Sequence, residues 1–380
     1  MRDLMVWRVR TLLARRLPRL ADHGERGAVG VLVGVLIGTG VLFGMGALVV
    51  DVGQLYQNRA ELQNGADAGA LAVAKSCLEG TCTPGIAAQY ADANASKLTG
   101  HTAKVDLVCG SGTLGSCPAS TGKLTDCPPA PPAGTNYVDV HTSTELANGS
   151  TLLPPVFART LAGNGNYQGS TVYACARAEW GSAIKSNSLA FTLSLCAWNA
   201  LTQNPYNTEI AVDVHGKAKQ CTLPSGLNLP GGFGWLTPTS STTCTANINV
   251  SQPPSYFAES DPGNNITAAC QTALLNDLNT TVYLPVFDGY TLNGSQGTYT
   301  LIGLAAFYLN GWMNMHPLSD QIPSGMTTGQ ATQLCLADAN SGSNNSCLLG
   351  YFTQGLVPVT NGIGGPGSSY FGANAVQLTG

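Results

Sequence analysis

Charged residues are scarce in this 380-residue sequence: they make up 10% of the chain, against about 25% in ordinary soluble domains. Of the seventeen Lys and Arg, seven precede residue 27, which leaves ten against the eighteen Asp and Glu from Asp51 onward. The seven are Arg2, Arg8, Arg10, Arg15, Arg16, Arg19 and Arg26. Because phosphate contacts need clustered Lys and Arg, we expect no nucleic-acid partner for the acidic C-terminal part.

The sequence also lacks the short motifs of common enzymes. It contains no Gly-x-Ser-x-Gly, no His-Glu-x-x-His and no phosphate loop ending in Gly-Lys-Ser/Thr. It has no Cys-x-x-Cys pair and its five His are scattered, whereas zinc ligands come in close pairs. Four carboxylates offer either a glycosidase-like pair or, more simply, turn formers: Asp213, Glu259, Asp261 and Asp288. We predict a protein that is not an enzyme, without catalytic or metal site, cofactor or small-molecule substrate.

All twelve cysteines lie beyond residue 76, and an even number favours disulfides in an oxidising compartment. Sequence proximity favours three pairs, which are Cys77 with Cys82, Cys117 with Cys127, and Cys335 with Cys347. Proximity does not assign the other six. Since each bridge contributes about 2–4 kcal/mol, we expect the external part of the protein to depend on its disulfides.

One long apolar run is present. Residues 27–50 carry no charge, and 24 helical residues are enough to cross a bilayer. Because Lys and Arg resist translocation, the preceding arginines predict a cytoplasmic segment 1–26, with everything after Asp51 outside. The alternative, a cleaved signal peptide, has an apolar core of only about 7–15 residues. The sequence thus predicts a transmembrane helix over residues 27–50, a single-pass location in the cell membrane and the lipid bilayer as a partner.

Small and charged residues in and beside this run have two interpretations each. Gly30, Gly34 and Gly38 recur every four residues, which lets another helix approach closely but is also common in membrane helices generally. Asp51 either ends the span as an interfacial charge or contacts a basic group of a partner. The basic residues 1–20 predict either an amphipathic helix on the inner membrane face or a loosely ordered flank.

Helical spacing continues beyond the apolar run and predicts one helix over residues 28–75, with a helical stalk over residues 51–100. The periodic positions are Leu48, Val52, Leu55, Arg59, Leu62, Ala66, Gly69 and Val73. Ala and Gly at the later positions favour packing against the chain's own globular part over a long-lived coiled coil. Asp67, on the same helix, is either solvated or a polar packing contact.

Beyond the stalk helix, Thr83 and Pro84 predict the cap and first residue of a second helix that ends near Lys97. After Gly100 short alternating runs between Gly, Ser and Pro turns predict strands. These runs are Ala103–Val108, Tyr137–Thr142, Ser170–Glu179, Leu189–Leu195, Thr208–Val214, Asn247–Val250, Thr280–Val286 and Tyr299–Leu309. A short helix is predicted at Val156–Leu161.

The fold class predicted from these patterns is α+β, with a long transmembrane-plus-stalk helix followed by disulfide-rich, mainly β extracytoplasmic domains. We predict an α/β region over residues 101–185 and a β-rich C-terminal domain over residues 186–380. The Gly-rich tail, residues 361–380, is expected to be partly mobile.

The segment from residue 26 to residue 77 closely resembles the N-terminal region of TadE/TadG-like proteins of tight-adherence (Flp) pilus-assembly systems. Its most distinctive part is DVGQLYQNRAELQNGADAGALA, residues 51–72, with an acidic residue at the end of the apolar run, a Leu-Tyr pair and an Ala-rich helix. The following region resembles the pilin-like part of TadG-like chains. Later motifs resemble the C-terminal part of actinobacterial TadG-like proteins: GGFGWL, DPGN, LPVFD, GLAAFYLNG and GYFTQGLVP.

The resemblance implies a membrane-anchored structural or assembly component of a Flp/Tad-type pilus or related secretion apparatus, with other pilus-assembly membrane proteins or pilins as partners. The alternative is a surface adhesin or wall-associated binding domain that uses the same anchor. Two departures limit what carries over. No Asp-x-Ser-x-Ser triplet of a von Willebrand A-type metal site is present, and the fifth residues after Gly24 and Gly27 are Val29 and Leu32, not the Glu of a prepilin cleavage site.

Seven aromatic residues of the C-terminal part are most simply explained as core and turn packing. If they were exposed, they would form a patch that binds a partner or a surface. They are Phe233, Trp235, Phe307, Tyr308, Trp312, Tyr351 and Phe352.

Overall fold

The computed structural model describes residues 25–38, 40–95, 101–123, 125–155, 168–203, 205–214, 221–222, 228–229, 233–240, 242–250, 256–261, 266–293, 296–337, 346–357, 362–364 and 370–380. The chain forms two compact units. One comprises Met1–Ala60, Leu98–His101 and Thr144–Val172; the other comprises Glu61–Lys97, Thr102–Ser143 and Tyr173–Gly380. The predicted cytoplasmic segment up to residue 24 and the predicted helix at Val156–Leu161 lie outside the described residues.

Two helices take the place of the single helix predicted over residues 28–75. Helix α1 spans Glu25–Gly38 and helix α2 spans Val41–Leu78. Gly40, between them, has a φ of +73°, a left-handed conformation that favours glycine and interrupts the helix. The prediction of one uninterrupted helix is therefore wrong at this point, and the run 27–50 is divided between α1 and the start of α2. In the described part of the chain, no helix is both long enough and apolar enough to span a membrane.

The second helix is shorter than predicted. Helix α3 spans Ile86–Asn94, and its N-cap residue is Gly85, which makes no side-chain capping bond. Thr83 does not occupy the cap position because it follows the end of α2 closely, where its backbone N–H donates to Ser76 Oγ at 2.9 Å. The predicted extent from Thr83 to Lys97 is corrected accordingly.

The first sheet has the strand order β1-β2-β3-β16-β15. Its strands are β1 His101–Gly110, β2 Asn136–Leu146, β3 Tyr173–Ser182, β15 Gly355–Leu356 and β16 Ala373–Leu378. Strand β3 pairs antiparallel with β2 on one side and with β16 on the other. The tail predicted as partly mobile thus contributes a strand, and strand pairing crosses the division predicted at residue 185.

The larger sheet has the order β11-β9-β5-β12-β13-β14-β6, and β11 also pairs with β13, which closes five strands into a ring. Its strands are β5 Phe191–Ser194, β6 Ile210–Asp213, β9 Phe233–Leu236, β11 Tyr256–Asp261, β12 Thr280–Asn293, β13 Gln296–Met313 and β14 Cys347–Phe352. Two small sheets pair β4 Lys185–Leu189 with β10 Thr245–Asn249 and β7 Cys221–Thr222 with β8 Asn228–Leu229. The fold is mixed α/β with a β-rich C-terminal part.

Three short helices of this part were missed by the strand-based prediction. Helix α4 spans Leu195–Leu201, α5 spans Ala268–Asp277 and α6 spans Thr328–Ala337. Each begins after a hydroxyl residue: Ser194 Oγ accepts from Ala197 N, Thr267 Oγ1 from Cys270 N and Thr327 Oγ1 from Gln330 N. The predicted strand Leu189–Leu195 therefore ends at this Ser cap, and Thr-x-x-Gln before α6 is a capping box that the sequence does contain.

The structure pairs Cys77 with Cys82 and Cys335 with Cys347, as sequence proximity favours. It does not pair Cys117 with Cys127. Instead Cys109 bonds to Cys117 and Cys127 bonds to Cys175, while Cys244 bonds to Cys270. The correction has a structural cause: a 3-10 turn at Gly112–Leu114 after β1 returns the chain to Cys109, with 5.1 Å between the two Cα atoms, and Cys127 lies against β3. Cys196 is also disulfide-bonded.

Candidate functional site

The second half of α2 packs on the first sheet through small side chains, as its Ala and Gly content predicts. Ala66, Ala70, Val73 and Ala74 are buried in one cluster with Val138, Val140, Ala176 and Ala178 of β2 and β3. Helix α3 packs over Gly65 and Gly69 of α2. A Cβ on Gly65 would lie 2.8 Å from the carbonyl oxygen of Ala91, and one on Gly69 would lie 3.1 Å from that of Ala87. Small residues here permit close helix packing within the chain.

Polar side chains fix this half of α2 on the sheet. Gln63 Nε2 donates to Asp67 Oδ1 at 2.9 Å and to the carbonyl oxygen of Cys175 on β3, also at 2.9 Å. Thr142 Oγ1 on β2 donates to the carbonyl oxygen of Leu62 at 3.3 Å. Of the two interpretations of Asp67, the structure favours the polar packing contact, because its acceptor orients the amide that joins helix to sheet.

The first half of α2 differs from the second in which side chains are buried and which are exposed. Large apolar side chains are exposed on it, with Val49 and Tyr56 each 71% exposed, and Met45 and Leu48 exposed as well. Its buried stripe carries polar groups: Asp51 is 9% exposed and Asn58 5%. Asn58 Nδ2 donates to the carbonyl oxygen of Gln54 at 2.9 Å. This pattern is the reverse of a helix that turns its apolar face to its own core.

The glycines predicted as a helix-packing face lie on α1. Gly30, Gly34 and Gly38 have nothing within 4 Å of a Cβ built on them, counting the described part of the chain. The apolar side chains of the same helix are exposed, among them Val29, Val31, Leu32, Val35 and Ile37. That another helix packs on these glycines remains a prediction.

A buried ion pair joins the two central strands of the sheet beneath α2. Arg177 Nε donates to Asp139 Oδ1 at 2.6 Å and Arg177 Nη2 to Asp139 Oδ2 at 2.7 Å, and the guanidinium also bonds the carbonyl oxygen of Pro129. The Tyr137 ring lies 4.8 Å from the guanidinium carbon. Burial alone would lower the pKa of Arg177, yet the hydrogen bonds and charge of Asp139 leave it raised.

The structure gathers metal-ligating residue types that the sequence leaves far apart. The two groups are Cys127, His141 and Cys175, and Cys109, Cys117 and Asp139. In each group both cysteines are joined in a disulfide, so neither offers the thiolate that a metal needs while the bond is intact. His141 Nε2 lies 3.6 Å from Cys127 Sγ, and burial lowers the pKa of this imidazole. The donor chemistry of the oxidised groups does not fit a metal ion.

Comparisons with curated proteins and with solved structures give no match. A family match falls on the helical segment described above. Residues 27–76, which form nearly all of α1 and α2, match the family model Tad, described as putative Flp pilus-assembly TadE/G-like, and the chain therefore carries a TadE/G-like segment in these two helices.

Proposed function

We propose that this chain is a membrane-anchored structural or assembly component of a Flp/Tad-type pilus or a related secretion apparatus. The TadE/G-like segment supports a role related to Flp pilus assembly. The observation that carries the anchor is the reversed first half of α2, where apolar side chains are exposed and Asp51 and Asn58 are buried. Such a helix suits a lipid or partner-protein surface, since polar side chains of membrane helices turn away from lipid.

The proposed anchor is the apolar run 27–50, with its N-terminal side in the cytoplasm and the C-terminal part outside. Seven arginines before the run and disulfides after it support this orientation. Gly40 interrupts the helices inside the run, and glycine is more frequent in membrane helices than in soluble ones. The proposed partners are other pilus-assembly membrane proteins or pilins, which would contact the exposed face of α1 and α2.

The anchor is tested by alkaline phosphatase fused after Gly380 and by carbonate extraction of membranes. We expect an active reporter and a chain that stays with the membranes. Replacing Leu32 and Ile37 together by Asp should release the chain, because each Asp costs about 2.5–3.5 kcal/mol at a span's centre. Leu71→Asp, on the second half of α2, is the matched control and should stay in the membrane. An inactive reporter, or a double variant that still resists extraction, contradicts the anchor.

The assembly role is tested by deleting the gene in its host and counting surface pili by electron microscopy. We expect pili to be lost, and to return on expression of the wild-type chain. Expression of Val49→Lys tests the exposed face of α2 directly: stable membrane-bound protein without pili would place a partner contact there. Normal pili in the deletion strain contradict the assembly role.

A surface adhesin or wall-associated binding domain on the same anchor is the second candidate. One observation favours it. Tyr308 and Tyr351 stack on the face of the larger sheet that lies opposite its buried Phe residues, beside an open cleft. Under this candidate the deletion strain keeps its pili and loses attachment to a surface, so one strain distinguishes the two roles.

A further inference from the structure

An open cleft of about 810 Å³ lies between the larger sheet and helix α6, a size within the range of ligand sites, roughly 300–1,000 Å³. Its floor is formed by β13, β14 and the residue before β6. One wall is formed by α6 and the loop Pro323–Met326 that leads to it. All these elements belong to the same compact unit.

Two tyrosines form the aromatic part of the floor. Tyr308 on β13 and Tyr351 on β14 are direct cross-strand partners, and their rings stack with centroids 4.9 Å apart and planes at 10°. Their chain neighbours Phe307 and Phe352 are buried in the core. Because side chains alternate between the faces of a strand, the tyrosines lie on the opposite, cleft-lining face and are half-buried there.

Beside the tyrosines lie two polar groups whose hydrogen bonding is incomplete. Asn310 Nδ2 donates to Glu209 Oε2 at 3.0 Å. The remaining oxygens of this pair, Glu209 Oε1 and Asn310 Oδ1, are buried and have no hydrogen-bond partner among the described residues. A buried acceptor without a donor is destabilising, so a donor brought within reach of either oxygen would be favourable.

Amides of α6 complete the polar lining. Gln330 is held in place by the capping box, since its Oε1 accepts from Thr327 N at 2.8 Å and from Thr327 Oγ1 at 2.9 Å. Gln333, one turn along the helix, is exposed and also lines the cleft. Among the described lining residues there is no Lys or Arg, so nothing here attracts a phosphate, sulfate or carboxylate group.

We propose that this cleft binds a neutral sugar ring of an oligosaccharide. The C–H face of the ring would lie against the tyrosine rings, whose π-faces carry partial negative charge, and its hydroxyls would bond the exposed side-chain amides of Gln330 and Gln333. Burial raises the pKa of Glu209, so a negative charge on this carboxyl is less favourable than on an exposed glutamate. The inference deepens the second candidate function, the adhesin, by naming its ligand class.

The cleft is built for binding and not for cleavage of the sugar. Glycoside hydrolysis uses a pair of carboxylates about 5–9.5 Å apart. Glu209 is the single carboxylate among the described residues that line this cleft. The attachment of the protein to a glycan surface therefore needs no reaction step.

The test uses the full chain in a detergent without a sugar headgroup, titrated by calorimetry with cellotriose, maltotriose and N,N′,N″-triacetylchitotriose in turn. We expect saturable binding of at least one trisaccharide. Tyr351→Ala should weaken it about tenfold or more, which corresponds to a loss of about 1.4 kcal/mol. Tyr351→Phe keeps the stacked ring, so its affinity should stay within about threefold of the wild-type affinity. Tyr173→Ala, an exposed strand tyrosine outside the cleft, should bind as the wild type does.

Gln333→Ala provides a variant that does not endanger the fold, because the side chain is exposed; a measurable loss of affinity there supports the site. The proposal is overturned if none of the three sugars binds at concentrations on the order of 10 mM. It is also overturned if wild type, Tyr351→Ala and Gln333→Ala bind equally well. Neither result bears on pilus assembly, which is counted in cells. Failure of the sugar site and failure of the assembly role are thus distinguishable.

Discussion

The two halves of helix α2 differ in what they bury, although they follow one another in the same 38-residue helix. The second half buries Leu62, Ala66 and Val73, and its sheet partner is supplied by the chain itself. The first half buries Asp51 and Asn58 and exposes Val49 and Tyr56. Within one TadE/G-like segment, the end therefore packs on the chain's own sheet, whereas the beginning leaves large apolar side chains exposed.

Loss of the ion pair beneath the second half should have the largest effect. Asp139→Ala leaves the Arg177 guanidinium buried without its carboxylate, which typically costs about 3–5 kcal/mol. We expect the free energy of unfolding of the full chain, from urea titration followed by circular dichroism, to fall by that amount. Asp106→Ala is the control, because its contact to Lys104 is 3.9 Å long and partly exposed; it should cost under about 1 kcal/mol. Equal losses in both variants would contradict the role of burial.

Disulfides allow the sheet and the helix end to be compared directly. The Cys127–Cys175 bridge closes a separation of 48 residues and the Cys77–Cys82 bridge one of 5. In the chain-entropy account, double Ser replacement should cost about 4 kcal/mol for the first and about 2 kcal/mol for the second. Urea unfolding of both double variants measures this difference. A larger loss at Cys77–Cys82 would show that the helix end, and not the sheet, limits stability.

Matched glycine substitutions test the two halves of α2 within one helix. Gly65→Val places a Cβ 2.8 Å from the Ala91 carbonyl oxygen, and such overpacking typically costs about 1–3 kcal/mol. Gly53→Val, in the first half, meets nothing within 4 Å and should change the free energy of unfolding by less than about 0.5 kcal/mol. A large loss at Gly53 in purified protein would mean that the exposed face of the first half also packs against the chain.

How much of this could be predicted depends on the sequence distance between the residues concerned. The TadE/G-like helix and its small-residue packing could be predicted, because they depend on local spacing within residues 48–73. The Cys127–Cys175 bridge depends on the register that puts His141 opposite Cys175, and local spacing does not encode strand register. For the same reason, the prediction from sequence proximity paired Cys127 with Cys117 and not with Cys175.

The aromatic motifs show the same limit at the proposed sugar site. Phe307, Phe352 and Trp312 are core residues, as expected, whereas the adjacent Tyr308 and Tyr351 lie on the other face. The alternation of side chains between the two faces of each strand could be predicted from the sequence. The position of the two tyrosines beside Glu209 and Gln330 could not be predicted, because four separate parts of the chain supply these residues.

The smallest expected effect is a pH dependence of the sheet under the second half of α2. Burial lowers the pKa of His141 from its usual value of 6.5, and this outweighs the opposing charges of Asp139, Asp106 and Asp126. The unfolded chain therefore binds a proton that the folded chain takes up only at lower pH, so stability should be fully present above about pH 6.5 and decline as pH falls through the lowered folded pKa. His141→Gln should reduce this slope between pH 7 and 5, measured by urea unfolding at each pH. Tyr173→Gln, an exposed replacement that leaves His141 in place, should keep the wild-type slope. A His141→Gln slope equal to that of the wild type would show that burial of this imidazole contributes nothing to the pH dependence of folding.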